Sequence, residues 1–135
     1  MTDLETLTPT ECWDRLRSTT VGRIGFDRGR GARIHPVDYA VVSEEIYLRT
    51  SRDSELGMFT ELFADGALVP FEVDQLDETG DEGWSVLVRG RLEAQDGAEA
   101  AGPVGEGAAQ PPAGHGELVL RLTPVQVTGR RRSAG

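Results

Sequence analysis

Apolar positions along the chain follow two different periods. Ahead of Thr19 they fall on one helical face, with Cys12, Trp13 and Leu16 forming a stripe. Thr8-Pro9-Thr10-Glu11 supplies the start of that helix: a hydroxyl N-cap, proline at the first helical position, and a glutamate reaching back. Leu7 and Cys12 stand where a hydrophobic staple places its two members, and Thr19-Thr20 end the element. This pattern assigns Cys12 and Trp13 to core packing rather than to thiol chemistry.

After Val21 the period drops to two. "VGRIGF" and "ARIHPVDYAVV" flank the turn Arg28-Gly29-Arg30-Gly31 and predict a hairpin, with Pro36 marking a bulge or an edge position. Ser43-Glu44-Glu45 predicts the next turn, and "IYLRT" a third strand. A short helix follows, about Ser54 to Ala64, with Leu56, Phe59, Leu62 and Phe63 on one face and Asp65-Gly66 at its end. "ALVPFEVD" and "GWSVLVRGRLE" are further strands separated by the acidic linker "QLDETGDE". In the second, Leu87 stands opposite the Trp84, Val86 and Val88 face, which predicts an interior strand or one against a partner subunit. Residues 95–116, rich in glycine, alanine and proline, predict a flexible loop with no core of its own. "ELVLRLTPVQVTG" predicts a last strand, broken at Pro124. The fold class is mainly β: five or six strands in hairpin order with two small helices and no βαβ repeat. A closed or partly closed antiparallel barrel buries such strands best.

At 135 residues the chain fits one domain, 1–135. An apolar fraction of 38% and a charged fraction of 27% suit a soluble protein. With only 6% aromatic residues, dimerisation helps it bury enough surface. No apolar run approaches the roughly 18 residues of a membrane span, and the opening lacks a signal peptide's basic and apolar regions. A single cysteine rules out an intrachain disulfide, so a cytoplasmic location without a membrane partner is expected. The net charge of -9 repels nucleic acid. Arg130, Arg131 and Arg132 oppose that trend in a basic tail, 130–135, expected to be solvated or folded onto an acidic partner subunit. Lysine is absent, which closes lysine Schiff-base chemistry.

Candidate chemistry narrows quickly. His35 and His115 have no metal-site spacing, and His35 reads as a strand side chain rather than a catalytic base. The glycines of residues 25–31 form a turn, not a phosphate loop. What remains is "YLRTSRDSEL", residues 47–56. A strand that delivers Arg49, Thr50 and Ser51 to a helix N-terminus has the parts of an anion site: paired donors, hydroxyls and unpaired N–H groups. Locally a second reading stays open, in which Ser51 or Ser54 caps the helix while Asp53 and Glu55 satisfy its dipole.

In order, "ECWDRLRSTTVGRIGF", "IHPVDYAV", "IYLRTS", "VPFEVD", "GWSVLVRGRLE" and "RLTPVQVTGR" resemble the pyridoxamine 5′-phosphate oxidase-like family of FMN-binding split barrels. More narrowly they resemble its small actinobacterial-type members, and the resemblance covers residues 7–93 and 117–131. It implies a homodimer of six-stranded antiparallel split β-barrels, FMN at the subunit interface, and flavin-dependent oxidoreduction of a small molecule. By position it implies that Arg49, Thr50 and Ser51, helped by Arg52, contact the FMN phosphate. It places Pro36, Val37, Asp38 and Tyr39 beside the isoalloxazine ring, and has Trp84 and Ser85 reach the cofactor from the other subunit. Some relatives use a deazaflavin and others haem. The alternative class is a cofactor-less or differently liganded dimer acting as a non-enzymatic binding or regulatory module. Where the family pattern has a lysine this chain has Glu55, and Arg52 is expected to offset its repulsion of a phosphate. No catalytic side chain is singled out, because a flavin carries its own hydride chemistry.

Overall fold

The computed structural model describes residues 2–95 and 116–134, so the expected loop lies outside the described residues apart from Gln95 and Gly116. The elements are β1 (Thr2–Thr6), α1 (Pro9–Arg17), β2 (Val21–Asp27), β3 (Ala32–Val42), β4 (Glu45–Ser51), α2 (Glu55–Leu62), β5 (Ala67–Leu76), β6 (Gly83–Ala94) and β7 (Glu117–Ala134). The strand order is β1-β7-β4-β3-β2-β5-β6, and β6 pairs back onto β7. That return closes β2 to β7 into a six-stranded antiparallel barrel, with β1 as an extra strand.

Alternation decides which face of each strand turns inward. Ile24 and Phe26, Ile46 and Leu48, Val69, Phe71 and Val73, Trp84, Val86 and Val88, and Leu118, Leu120 and Leu122 are buried together. A one-residue slip would turn any of these sets to solvent, so the register is strongly specified. Gly22 makes room for one aromatic member: a Cβ there would lie 2.4 Å from the Phe71 ring.

Both helices begin as their sequences predict. In α1 the Thr8 N–H donates to Glu11 Oε1 at 2.9 Å, and the Glu11 N–H to Thr8 Oγ1 at 3.2 Å. The far end of α1 is fastened to β3 by Tyr39, whose hydroxyl donates to the Leu16 carbonyl at 2.6 Å and also meets Thr19 Oγ1. Burial raises the pKa of that phenol. Helix α2 is shorter than predicted, because Phe63 is its C-cap and Gly66 turns the chain at φ 98°. Neither described helix is long and apolar enough to cross a membrane.

Three findings differ from the sequence reading. Pro124 does not break the last strand. It lies on a stretch of β7 past the β4 pairing, which ends at Leu122, and short of the β1 pairing, which begins at Arg130. Its missing N–H therefore breaks no ladder on that side. Opposite β6 the pairing steps from Arg89–Gln126 to Gly90–Pro124, leaving Val125 as the bulge. Next, β1 was unmarked by hydrophobic alternation. Finally, the basic cluster is not a solvated tail: Arg130, Arg131 and Arg132 pair with Thr6, Glu5 and Leu4 of β1 and with Ser85, Trp84 and Gly83 of β6. Backbone pairing on both edges holds them, and charge is matched at Arg131. Arg131 Nη2 lies 2.9 Å from Glu5 Oε2, and Nη1 lies 3.8 Å from Glu11 Oε2. Pro36 behaves as predicted for an edge position: it pairs with Arg23 of β2, while β4 joins β3 only from Asp38 onward.

Candidate functional site

Where β4 runs into α2, three structural edges meet. The first is the β3 segment from Ala32 to Val37, which has no strand on its β4 side among the described residues. Main-chain N–H and C=O groups are left open there. The second is the end of β4, Arg49 to Ser51. The third is the start of α2, capped by Ser54, whose Oγ accepts the Gly57 N–H at 3.0 Å. The first-turn N–H groups of Glu55 and Leu56 have no intrahelical acceptor by the geometry of a helix start.

Gly57 makes this meeting close. A Cβ on it would lie 2.3 Å from the Ser51 carbonyl oxygen and 2.7 Å from that of Arg52. The hydroxyls in the turn are internally bonded. Ser54 Oγ donates to the Ser51 carbonyl at 2.7 Å and lies 2.8 Å from Thr50 Oγ1, while Ser51 Oγ accepts the Asp53 N–H at 3.2 Å. The Ser54 cap of the second reading is thus present, and the arginines decide whether more is built on it.

Arg49 is the unusual group. Its side chain is only 8% exposed, and its Nε lies 2.6 Å from Glu117 Oε1. The contact is close but poorly aligned: neither Nε nor Nη1 completes a hydrogen bond, so two buried donors are left open. Directly across β3 stands Asp38, and directly across β7 stands Val119. Arg52, by contrast, is exposed, and its N–H donates to the Gly116 carbonyl at 2.5 Å. Glu55 is paired by a residue the sequence reading did not single out: Arg33 Nε lies 3.2 Å from Glu55 Oε2. Arg33 sits on the open edge of β3, so a cation offsets Glu55, but from β3 rather than from Arg52.

A family model described as pyridoxamine 5′-phosphate oxidase matches residues 8–131. The chain belongs to the pyridoxamine 5′-phosphate oxidase family. Among solved structures of similar fold is the FAD binding protein from Mycobacterium smegmatis, 29% identical with a TM-score of 0.70, the match covering 96% of this chain and 98% of that one. A FAD-binding protein from Mesorhizobium loti shares the fold at 21% identity and a TM-score of 0.78, over 99% and 100% of the two chains. The uncharacterized protein Rv0080 of Mycobacterium tuberculosis is 36% identical over 76 residues, 56% of this chain and 50% of that protein. The aligned part thus spans half the length of this curated relative.

For a member of the pyridoxamine 5′-phosphate oxidase family, the residues expected at the cofactor fall into two groups. Pro36 and Ser51 are exposed, Asp38, Thr50 and Ser85 are half-buried, and Arg49 and Arg52 flank the turn. Val37, Tyr39 and Trp84 are buried. Their side chains are committed elsewhere: Tyr39 to Leu16 and Phe71, and Trp84 to the core beneath Arg15, whose guanidinium lies 5.7 Å from the ring centroid. Within this chain the rings of Tyr39 and Trp84 are occupied by packing, and their main-chain groups lie along β3 and β6. One chain does not gather the whole set. Arg49 is in register with Val119, and Trp84 with Arg131, twelve residues further along β7. That is roughly 35–40 Å of strand. His35 packs edge-on against Phe26, with ring centroids 5.0 Å apart, and joins no metal-binding cluster among the described residues. The other histidine of the sequence reading, His115, lies outside the described residues.

Proposed function

We propose that this chain is a cytoplasmic homodimer that binds FMN at its subunit interface and acts as a flavin-dependent oxidoreductase on a small molecule. The observation that carries the reading is Arg49, a buried guanidinium with two open donors at the end of β4, beside the capped start of α2. Such a group fits a phosphate, which accepts several charge-assisted hydrogen bonds at once. The open edge of β3 fits the polar rim of a flavin ring through main-chain groups of residues 34–37. Similarity to flavin-binding split barrels of 29% identity supports the same class of ligand. The separation of Ser85 from Arg49 along β7 supports a second copy, since only a partner's β6 can bring its outer face to the first chain's Arg49.

A bound flavin supplies hydride and electron transfer. The residues of this chain would hold it: Arg49 and the α2 start would bind the phosphate, and main-chain groups of β3 would bind the ring. Arg33 cancels the charge of Glu55, so that the site does not repel a dianion. The test is whether purified protein is yellow and retains flavin through gel filtration at the mass of a dimer. Mass spectrometry of the released cofactor separates FMN from FAD and from a deazaflavin, and a Soret band would point to haem. Arg49→Ala is expected to weaken FMN binding by about 1.5 to 3 kcal/mol, the range for a hydrogen bond to a charged group. Colourless protein that fails to bind added FMN at micromolar concentration overturns the reading in favour of a non-enzymatic binding module.

A further inference from the structure

Two arginines at the candidate site each face a carboxylate of the same chain. Arg33 faces Glu55, and Arg49 faces Glu117. The two pairs differ in kind. Arg33 and Glu55 are similarly exposed, at 43% and 41%, and form an ordinary surface pair. Arg49 is 8% exposed and Glu117 35%, so Glu117 is the solvent-side member of its pair. Main-chain bonds hold it there. Glu117 is in register with Ser51, on the sheet face that carries Arg49, and the preceding residue accepts the Arg52 N–H through the Gly116 carbonyl. Yet the contact leaves Nε and Nη1 of Arg49 without a completed hydrogen bond. A carboxylate is close enough to neutralise the guanidinium but not placed to satisfy it.

We infer that Glu117 is a built-in competitor for the anion site. It shields Arg49, and an anionic ligand must displace its carboxylate to reach the guanidinium. Glu117 therefore sets the affinity and the selectivity of the site. It disfavours weakly bound monoanions, and it admits a phosphate whose several acceptors satisfy the donors Glu117 leaves open. The inference rests on the phosphate-binding reading of Arg49 given above and adds to it a residue that opposes binding.

The experiment titrates wild type and Glu117→Gln with FMN and with riboflavin, following flavin fluorescence. In parallel, inorganic phosphate is titrated into the flavin-free proteins and read by the Arg49 Nε resonance in NMR. Glu117→Gln is expected to tighten FMN about tenfold, the scale of removing one like charge at contact distance. Riboflavin, which lacks the phosphate, should change by less than about twofold, and phosphate should tighten in step with FMN. Glu117→Ala serves as a second variant and should move FMN in the same direction. Unchanged or weaker FMN binding in both variants overturns the inference while leaving the flavin reading intact. Equal tightening of FMN and riboflavin overturns it too, by moving the effect away from the phosphate. If no protein binds FMN, the flavin reading falls and the phosphate titration alone decides: tighter phosphate in Glu117→Gln sustains the competitor, and no difference or no binding refutes it.

Discussion

Replacing Gly57 by alanine sets two effects of opposite sign against each other. Gly57 lies in the first half of α2, where alanine is favoured over glycine by about 1 kcal/mol on helix propensity alone. The surroundings oppose the change. The new Cβ would lie 2.3 Å from the Ser51 oxygen, 2.7 Å from the Arg52 oxygen and 2.9 Å from the Arg52 carbonyl carbon, all main-chain atoms that no rotamer change can move. Relief requires the start of α2 to withdraw from the turn by roughly 1 Å. The bonds spanning that gap then stretch: Ser54 N–H to the Ser51 carbonyl at 3.1 Å, Ser54 Oγ to the same oxygen at 2.7 Å, and Gly57 N–H to Ser54 Oγ at 3.0 Å. At about 1 kcal/mol net for each bond, their loss outweighs the propensity gain, leaving a destabilisation of about 2 kcal/mol. For a chain of this size that lowers the melting temperature by roughly 6–10 °C, readable by circular dichroism. FMN affinity should fall as well, because the same shift carries the α2 N-terminus away from Arg49. A melting temperature equal to or above wild type would refute this packing, since helix propensity would then have prevailed.

Other expectations follow from single contacts. Glu72 has its pKa raised to about 7 by burial and by the neighbouring Asp74, against the opposing effect of Arg23. Between its ordinary value of 4.5 and about 7 the folded chain holds more protons than the unfolded one, so stability should fall as pH rises through that window. With its side chain 36% exposed, solvent screening limits the effect to about 1 kcal/mol. Urea melts at pH 5 and pH 8 measure it, and Glu72→Gln should abolish the slope. Tyr39→Phe removes the donor to the Leu16 carbonyl and leaves that buried acceptor open, so a loss of about 1–3 kcal/mol is expected in denaturant melts. Arg33→Ala leaves Glu55 unpaired beside the candidate site. FMN binding should weaken severalfold and recover in the double variant Arg33→Ala/Glu55→Gln, whereas equal affinities in both would detach the pair from the site.

Much of the barrel was legible because burial on one face writes itself into a strand as alternation, as in β5 and β6, and because the capping box marks α1 by residue type alone. β1 was not legible, since its Leu4 is 57% exposed and its role is to pair backbone and charge with the arginines of β7. The tail was misread for the matching reason: a run of arginines signals solvent unless a chain-distant acidic strand is known to lie beside it. At the site, Arg49 was legible as a strand-end cation next to a helix start. Arg33 and Glu117 were not, because they reach the site from β3 and β7, through pairings that no local spacing encodes. The inward packing of the Tyr39 and Trp84 rings, onto α1 and the core, is likewise set by the fold rather than by local sequence.

Strand β7 holds β6 along one edge and β4 and then β1 along the other. Take it away and the barrel becomes an open sheet, β4-β3-β2-β5-β6, with both edges bare. Such a sheet is what a growing or refolding chain presents before β7 docks, because contacts such as Thr2 with Ala134 join the most distant parts of the sequence. Closure is therefore expected to come late, and until it does the edges of β4 and β6 would be templates for the strands of other chains. Refolding yield should fall as protein concentration rises, with the timing of β7, rather than the stability of the finished barrel, setting how much native protein forms.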